Sequence, residues 1–269
     1  MCGIVGYVGG QDATHVVVEG LRRLEYRGYD SAGVAVVTPE GVRSRKRAGK
    51  LANLEKALAE SPLPDTTVGI GHTRWATHGA PNDINAHPHL SEDGSLAVIH
   101  NGIIENFAEL RSVLQADGVQ FLSETDTEVA AHLLAKMVAQ SASLTEAMQR
   151  TCQQLRGAFT LVAASADDPD TLVGARRNSP LVVGIGEGET FLASDVSAFI
   201  AHTRLAMELG QDQVITITRE GVSVTDFDGA PAEGVEYEVT WDASAAEKGG
   251  YDLFMLKEIA EQPKAVADT

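Results

Sequence analysis

The apolar positions along the chain change period several times, and each change marks an element. IVGYV at 4–8 is a continuous apolar run of the length a buried strand takes. Asp12 stands where it can cap a helix through VVVEGLRRLEYR, whose apolar positions Val17, Leu21 and Leu24 recur at helical spacing until Gly28 stops them. GVAVV at 33–37 and the polar-alternating GVRSRKR form a strand pair turning at Pro39-Glu40-Gly41. LANLEKALAE is an amphipathic helix ended by Ser61-Pro62. TVGIGHTR at 67–74 and SLAVIHNG at 95–102 are two more strands, the second with its polar groups gathered at the C-terminal end. Between them, 76–94 has no periodicity, and a loop that long inside a compact domain is functional or mobile. Helices are expected over 105–116, 126–140 and 143–155, the middle one capped by Thr125 or Asp126.

From Gly157 the pattern becomes short strands: AFTLVAAS, TLVGARR, PLVVGIG, TFLAS, QVITITR and GVSVTDF. Strand-rich blocks on both sides of a helical block imply an α+β fold of two stacked sheets with helices outside, and not a doubly wound parallel sheet. After Thr240 the character shifts again. WDASAAEKGG reads as a linker, and YDLFMLKEIAEQP as a helix start with Leu253, Leu256 and Ile259 on one stripe that needs a partner surface. The expected organisation is one domain over 1–240, then 241–269 as a linker and the opening of something further.

Charge and composition narrow the function. Lys and Arg number 21 against 38 Asp and Glu, a net charge of −17, which repels a phosphate backbone. The one dense basic cluster, Arg43 to Lys50, reads as a solvated strand end beside a helix start, so no nucleic-acid partner is expected. Apolar runs fall short of a membrane span, so no membrane association is expected either. With two cysteines and no basic-then-apolar leader, the default compartment is the reducing cytoplasm.

One of those cysteines follows Met1 directly. If the methionine is removed, the Cys2 thiol and a free α-amine belong to one residue; their ordinary pKa values, about 8.5 and about 7.7–8.0, let the amine take the thiol's proton. Position alone leaves Cys2 open between such a reagent and a small strand residue, whereas Cys152, with Met148 and Leu155 a turn away, is a core residue. Arg74, at the end of a strand, is a natural bidentate partner for a carboxylate, or a structural ion pair. Asn101 and Gly102 offer an amide and an unobstructed backbone N–H, as an oxyanion site or as a turn. Asp126 caps a helix, or receives an ammonium. His72, His78, His87, His89 and His100 lack a tetrahedral-site spacing, so no metal is expected. The glycine pairs lack a phosphate-loop signature, and no cofactor is expected.

Taken together, MCGIVGY, YRGYDSAG (26–33), GHTRWATHG (71–79), NAHPH (85–89), HNGIIEN (100–106), SETDTE (123–128), LASD (192–195) and KEIAEQP (257–263) resemble the glutaminase domain of the glutamine:fructose-6-phosphate amidotransferases, the glucosamine-6-phosphate synthases. The resemblance implies an N-terminal-nucleophile hydrolase fold, an αββα sandwich of two antiparallel sheets between helical layers. It implies that Cys2 attacks the side-chain amide of L-glutamine, giving a thioester and ammonia, and that its α-amine is the base. By the same resemblance Asn101 and Gly102 form the oxyanion hole, Arg74 holds the α-carboxylate, and Asp126 the α-ammonium. Thr77 and His78 line the pocket, Trp75 belongs to a shielding loop, and Arg27 supports the geometry around Cys2. Related amidotransferases share Cys-Gly-Ile but carry Gln or Pro where Tyr29 stands. The family's second half, a sugar-isomerase unit that binds fructose 6-phosphate and makes the full-length enzyme a homodimer, would start near Lys248 and is not spanned here. Two other readings stay open: the glutaminase domain of another amidotransferase, and a domain that senses glutamine without turning it over.

Overall fold

The computed structural model describes residues 2–28, 30–240 and 254–268. Met1, Tyr29, Leu253 and the linker expected from 241 fall outside them. Two antiparallel sheets lie face to face. The larger has the order β14-β11-β9-β10-β1-β4-β2-β3, built from β1 (Gly3–Val8), β2 (Ser31–Thr38), β3 (Gly41–Ala48), β4 (Val68–Arg74), β9 (Val182–Ile185), β10 (Thr190–Ala193), β11 (Leu205–Glu208) and β14 (Val235–Glu238). The smaller runs β13-β12-β8-β7-β6-β5, from β5 (His89–Leu90), β6 (Leu96–Ile104), β7 (Gly157–Ser165), β8 (Asp168–Arg177), β12 (Gln213–Ile217) and β13 (Val222–Asp226). Helices α1 (Ala13–Leu24) and α2 (Leu51–Glu60) cover the first sheet; α4 (Asp126–Val138) and α5 (Leu144–Gln154) cover the second, with α3 (Phe107–Ala116) packed on α4.

The two-residue period of each strand divides the core into three layers. On β1, Val5 and Tyr7 join the cluster under α1, while Ile4 and Val8 face the second sheet. On β6, Leu96, Val98 and Ile104 meet the helices, and Ala97 and Ile99 meet the first sheet. Strand β4 solves the same problem with glycine. Val68 and Ile70 fill the layer between the sheets, and the alternate positions Gly69 and Gly71 let α1 sit directly on the strand. A Cβ at Gly71 would lie 2.4 Å from Val17 Cγ1 and 2.9 Å from Leu21 Cδ1.

Local chemistry fixes the helix starts. Asp12 accepts from the N–H groups of Thr14 and His15, Thr125 from that of Glu128, and Ser143 from that of Glu146. Three findings depart from the sequence reading. Strands β11 and β14 were not expected. The loop at 76–94 holds the short strand β5, paired with β6 through His89 and Val98. Helix α6 (Phe254–Asp268) continues through Pro263, with Met255, Leu256, Ile259 and Val266 exposed. No helix among the described residues is long and apolar enough to cross a membrane.

Substituting Gly71→Ala should overpack the α1–β4 contact and destabilise the domain by about 1–3 kcal/mol, read as a lowered urea midpoint at unchanged m-value.

Candidate active site

The inward-facing row of β4 runs Val68, Ile70, His72, Arg74, so it turns from apolar to polar towards its C-terminal end. Strand β1 is antiparallel to it, with Gly3 opposite Thr73, and this brings Cys2 beside Arg74. Across the interlayer, Asn101 continues the inward row of Ala97 and Ile99 on β6. Its side chain reaches the first sheet: Nδ2 donates to the Cys2 carbonyl at 3.1 Å, and Oδ1 lies 2.9 Å from His72 Nε2. The next residue, Gly102, has φ +121°, and a Cβ there would fall 2.0 Å from the Ala158 carbonyl oxygen, so no other residue fits the end of β6.

These strand ends surround a cavity of about 290 Å³. It is lined by every residue assigned to the site from sequence: Cys2, Arg27, Arg74, Trp75, Thr77, His78, Asn101, Gly102 and Asp126. The Cys2 sulfur accepts from the Trp75 N–H at 3.1 Å and lies 3.5 Å from the Trp75 carbonyl oxygen. Burial pushes the thiol's pKa up, and the Trp75 N–H only partly offsets this. A thiol in that state is protonated at neutral pH and needs a base. Two of the cavity histidines are poor ones: burial holds His87 well below the usual imidazole range and lowers His100 as well.

Opposite charges meet in this cavity. Arg74 is almost wholly buried, and its Nη2 donates to the carbonyl oxygens of His78 and Gly79, which shapes the loop after β4 around it. Its Nη1 is buried with no hydrogen-bond partner among the described residues. Asp126, also buried, accepts from the Ile104 N–H on Oδ2 at 3.0 Å and presents Oδ1 to His78 Nδ1 at 4.0 Å. Arg27 is held by Asp195, the Asp of the LASD stretch, through an ion pair of 3.0 Å. Half-exposed Trp75 opens the loop, which is pinned behind it where the Ala76 N–H donates to Asp30.

Asp126 owes its position to the start of α4. Behind it, Glu128 folds back over the turn and accepts from the N–H groups of Leu122 at 2.8 Å and Ser123 at 2.7 Å, and from the Ser123 hydroxyl at 2.7 Å. Burial alone would raise this carboxyl, but His132 and these donors outweigh it and hold it at about 2.

Sequence reasoning missed several lining groups. Ser179 and Pro180 arrive on the turn between β8 and β9, where Asn178 has φ +55°, and no local signal marks that turn as facing the site. Thr125, Thr127 and His100 also line the cavity; His100 Nδ1 is 3.0 Å from the Thr127 hydroxyl. For Asp30 and His72 a signal existed: both fall next to, or inside, the quoted motifs.

A family model described as Glutamine amidotransferase domain matches residues 59–228. Over its whole length the chain is 68% identical to glutamine-fructose-6-phosphate aminotransferase (isomerizing) of Streptomyces coelicolor and 62% identical to that of Leifsonia xyli subsp. xyli. It spans 44% of the length of each. Among solved structures, glutamine phosphoribosylpyrophosphate amidotransferase from B. subtilis superimposes with a TM-score of 0.73 at 26% identity, over 84% of this chain and 49% of that one.

The Glu128 carboxyl gives a pH test of the α4 start. Its folded value, about 2, lies below its ordinary 4.5, so its contribution is complete above about pH 4.5 and is lost as pH falls towards 2. Urea midpoints measured from pH 5.5 to 2.5 should therefore fall less steeply for Glu128→Gln than for the unsubstituted chain, with the difference confined to that window.

Proposed function

The chain belongs to the class II glutamine amidotransferases, and from that premise we propose that it hydrolyses the side-chain amide of L-glutamine with Cys2 as nucleophile. The observation that carries this reading is the pairing of a buried guanidinium nitrogen without a hydrogen-bond partner among the described residues, Arg74 Nη1, and the Asp126 carboxylate in the cavity that also holds the thiol. A free amino acid has an anionic and a cationic end to match them. Arg74 takes the α-carboxylate, Asp126 the α-ammonium, and Thr77 and His78 close the sides of the pocket.

With Met1 removed, the Cys2 α-amine accepts the proton of the thiol that burial keeps protonated, and the sulfur attacks the amide carbon. The developing oxyanion is met by the Asn101 amide and the Gly102 backbone N–H. The α-ammonium returns its proton to the leaving nitrogen, ammonia departs, and a thioester remains. Water, deprotonated by the same amine, releases L-glutamate. Trp75 and its loop shield the thioester, and the Arg27–Asp195 pair steadies the backbone beside Cys2.

The wider activity follows the relatives' names. Residues 1–240 would be the glutaminase unit, and 241–269 a linker and the start of a sugar-isomerase unit that binds fructose 6-phosphate and converts it, with the released ammonia, to glucosamine 6-phosphate. The exposed apolar side chains of α6 suit docking against such a unit. The full-length enzyme would be a homodimer through that half. The two free cysteines suit a reducing cytoplasm.

Intact mass and glutamate release measured on one sample test the mechanism: chains that keep Met1 should be inactive. Cys2→Ala should lower turnover by at least about 10⁴-fold with the fold unchanged; glutamine binding without turnover in the unsubstituted, Met1-free chain would favour a sensing role. Arg74→Lys, which loses the planar fork, should raise KM for glutamine about 10- to 100-fold.

A further inference from the structure

We propose that His72 is a positioning residue that fixes which way round the Asn101 carboxamide stands, and so whether the site presents a donor or an acceptor to the oxyanion. The proposal rests on the reading of Asn101 as an oxyanion donor. An asparagine amide has nearly the same shape after a half-turn, and only its partners decide where N and O go. One partner here is the Cys2 carbonyl oxygen, 3.1 Å away, which can only accept. Nδ2 must face it, and Oδ1 then faces His72 Nε2 at 2.9 Å, so Nε2 must carry the hydrogen.

The surroundings hold the ring in that form. His72 is completely buried in the layer between the sheets, and burial lowers its pKa to about 3, so the imidazole is neutral and has a single N–H to place. Its Nδ1 makes no hydrogen bond among the described residues, and it is the Asn101 oxygen facing Nε2 that sets the hydrogen there. The ring packs against His87 with centroids 4.2 Å apart. If the Nε2–H were lost, the Cys2 carbonyl alone would hold the carboxamide, and the turned-over form, with Oδ1 towards that carbonyl and the cavity, would no longer be opposed from the opposite sheet. An acceptor would then stand where negative charge must develop. The effect belongs to the transition state, because Arg74 and Asp126 bind the substrate's ends independently of it.

The test compares His72→Leu, His72→Gln and His72→Asn with Asn101→Ala. His72→Leu removes the donor and should lower kcat about 100-fold or more, with KM for glutamine within about threefold. The affinity for the aldehyde analogue of glutamine, which forms a tetrahedral adduct with Cys2, should fall by the same factor. Gln can carry an amide N–H to the place of Nε2, and should restore kcat to within about tenfold of the unsubstituted chain. The shorter Asn cannot, and should behave like Leu; this pair keeps the test valid if the Leu variant does not fold. In an Asn101→Ala background His72→Leu should cost no further activity. Equal activity of the Gln and Asn variants, or a His72→Leu kcat within threefold of the unsubstituted chain, would overturn the proposal. If Asn101→Ala itself leaves kcat unchanged, the reading of Asn101 as oxyanion donor fails, and the proposal with it.

Discussion

Strand β1 lies in the middle of the larger sheet, hydrogen-bonded to β10 on one side and to β4 on the other, and every residue from Gly3 to Val8 is buried. The end of a chain is ordinarily its loosest part. Here the ladder on both edges fixes residue 2 to the place where β4 ends and Arg74 begins. Nothing else in the site could be arranged around a thiol that moved. The α1 helix packs on the back of the same strand, and Ser194 accepts from the Ile4 N–H at 3.0 Å, so the first turn of chain is held from three directions. The nucleophile proposed at residue 2 would need that confinement, because a fraying end would give up the orientation on which an enzyme's rate depends.

Within this frame the site separates its charges by burial. The chain is strongly acidic, yet a buried guanidinium and a buried carboxylate stand close to three histidines, His72, His87 and His100, that burial keeps neutral. Had His72, His87 and His100 been protonated, they would have competed with Arg74 for an anion and repelled an ammonium. Desolvation removes that competition without any further side chain. The same low polarity strengthens what remains, since a charge at this depth is screened little by water.

Much of this was legible in the sequence, and the reason is physical. Strand period marks which residues share a face, so TVGIGHTR announces both its inward row and its glycine-backed face, and caps such as Asp12 and Thr125 carry their own chemistry. The clustering of Cys2, Arg74, Asn101 and Asp126 came from the quoted motifs; parity alone does not say that the ends of β1, β4 and β6 meet. Strands β11 and β14 escaped because they are short and lie at the sheet's outer end, with Leu205, Val235 and Tyr237 exposed and no alternation to read. Ser179 and Pro180 escaped because their place depends on how β8 and β9 pair, which no local pattern encodes. His72 was visible as a histidine but its role was not, since that depends on one atom of a residue in the opposite sheet.

Cys152 is the other thiol, on the buried face of α5, with no exposed surface and its pKa pushed up by burial. A small alkylating reagent added to native protein therefore meets one partly exposed sulfur, Cys2, and after denaturation two. The ratio of the two labels is a census of correctly assembled sites, taken without substrate or turnover. With Cys2 as the proposed nucleophile, Cys152 is the internal standard against which that site is titrated.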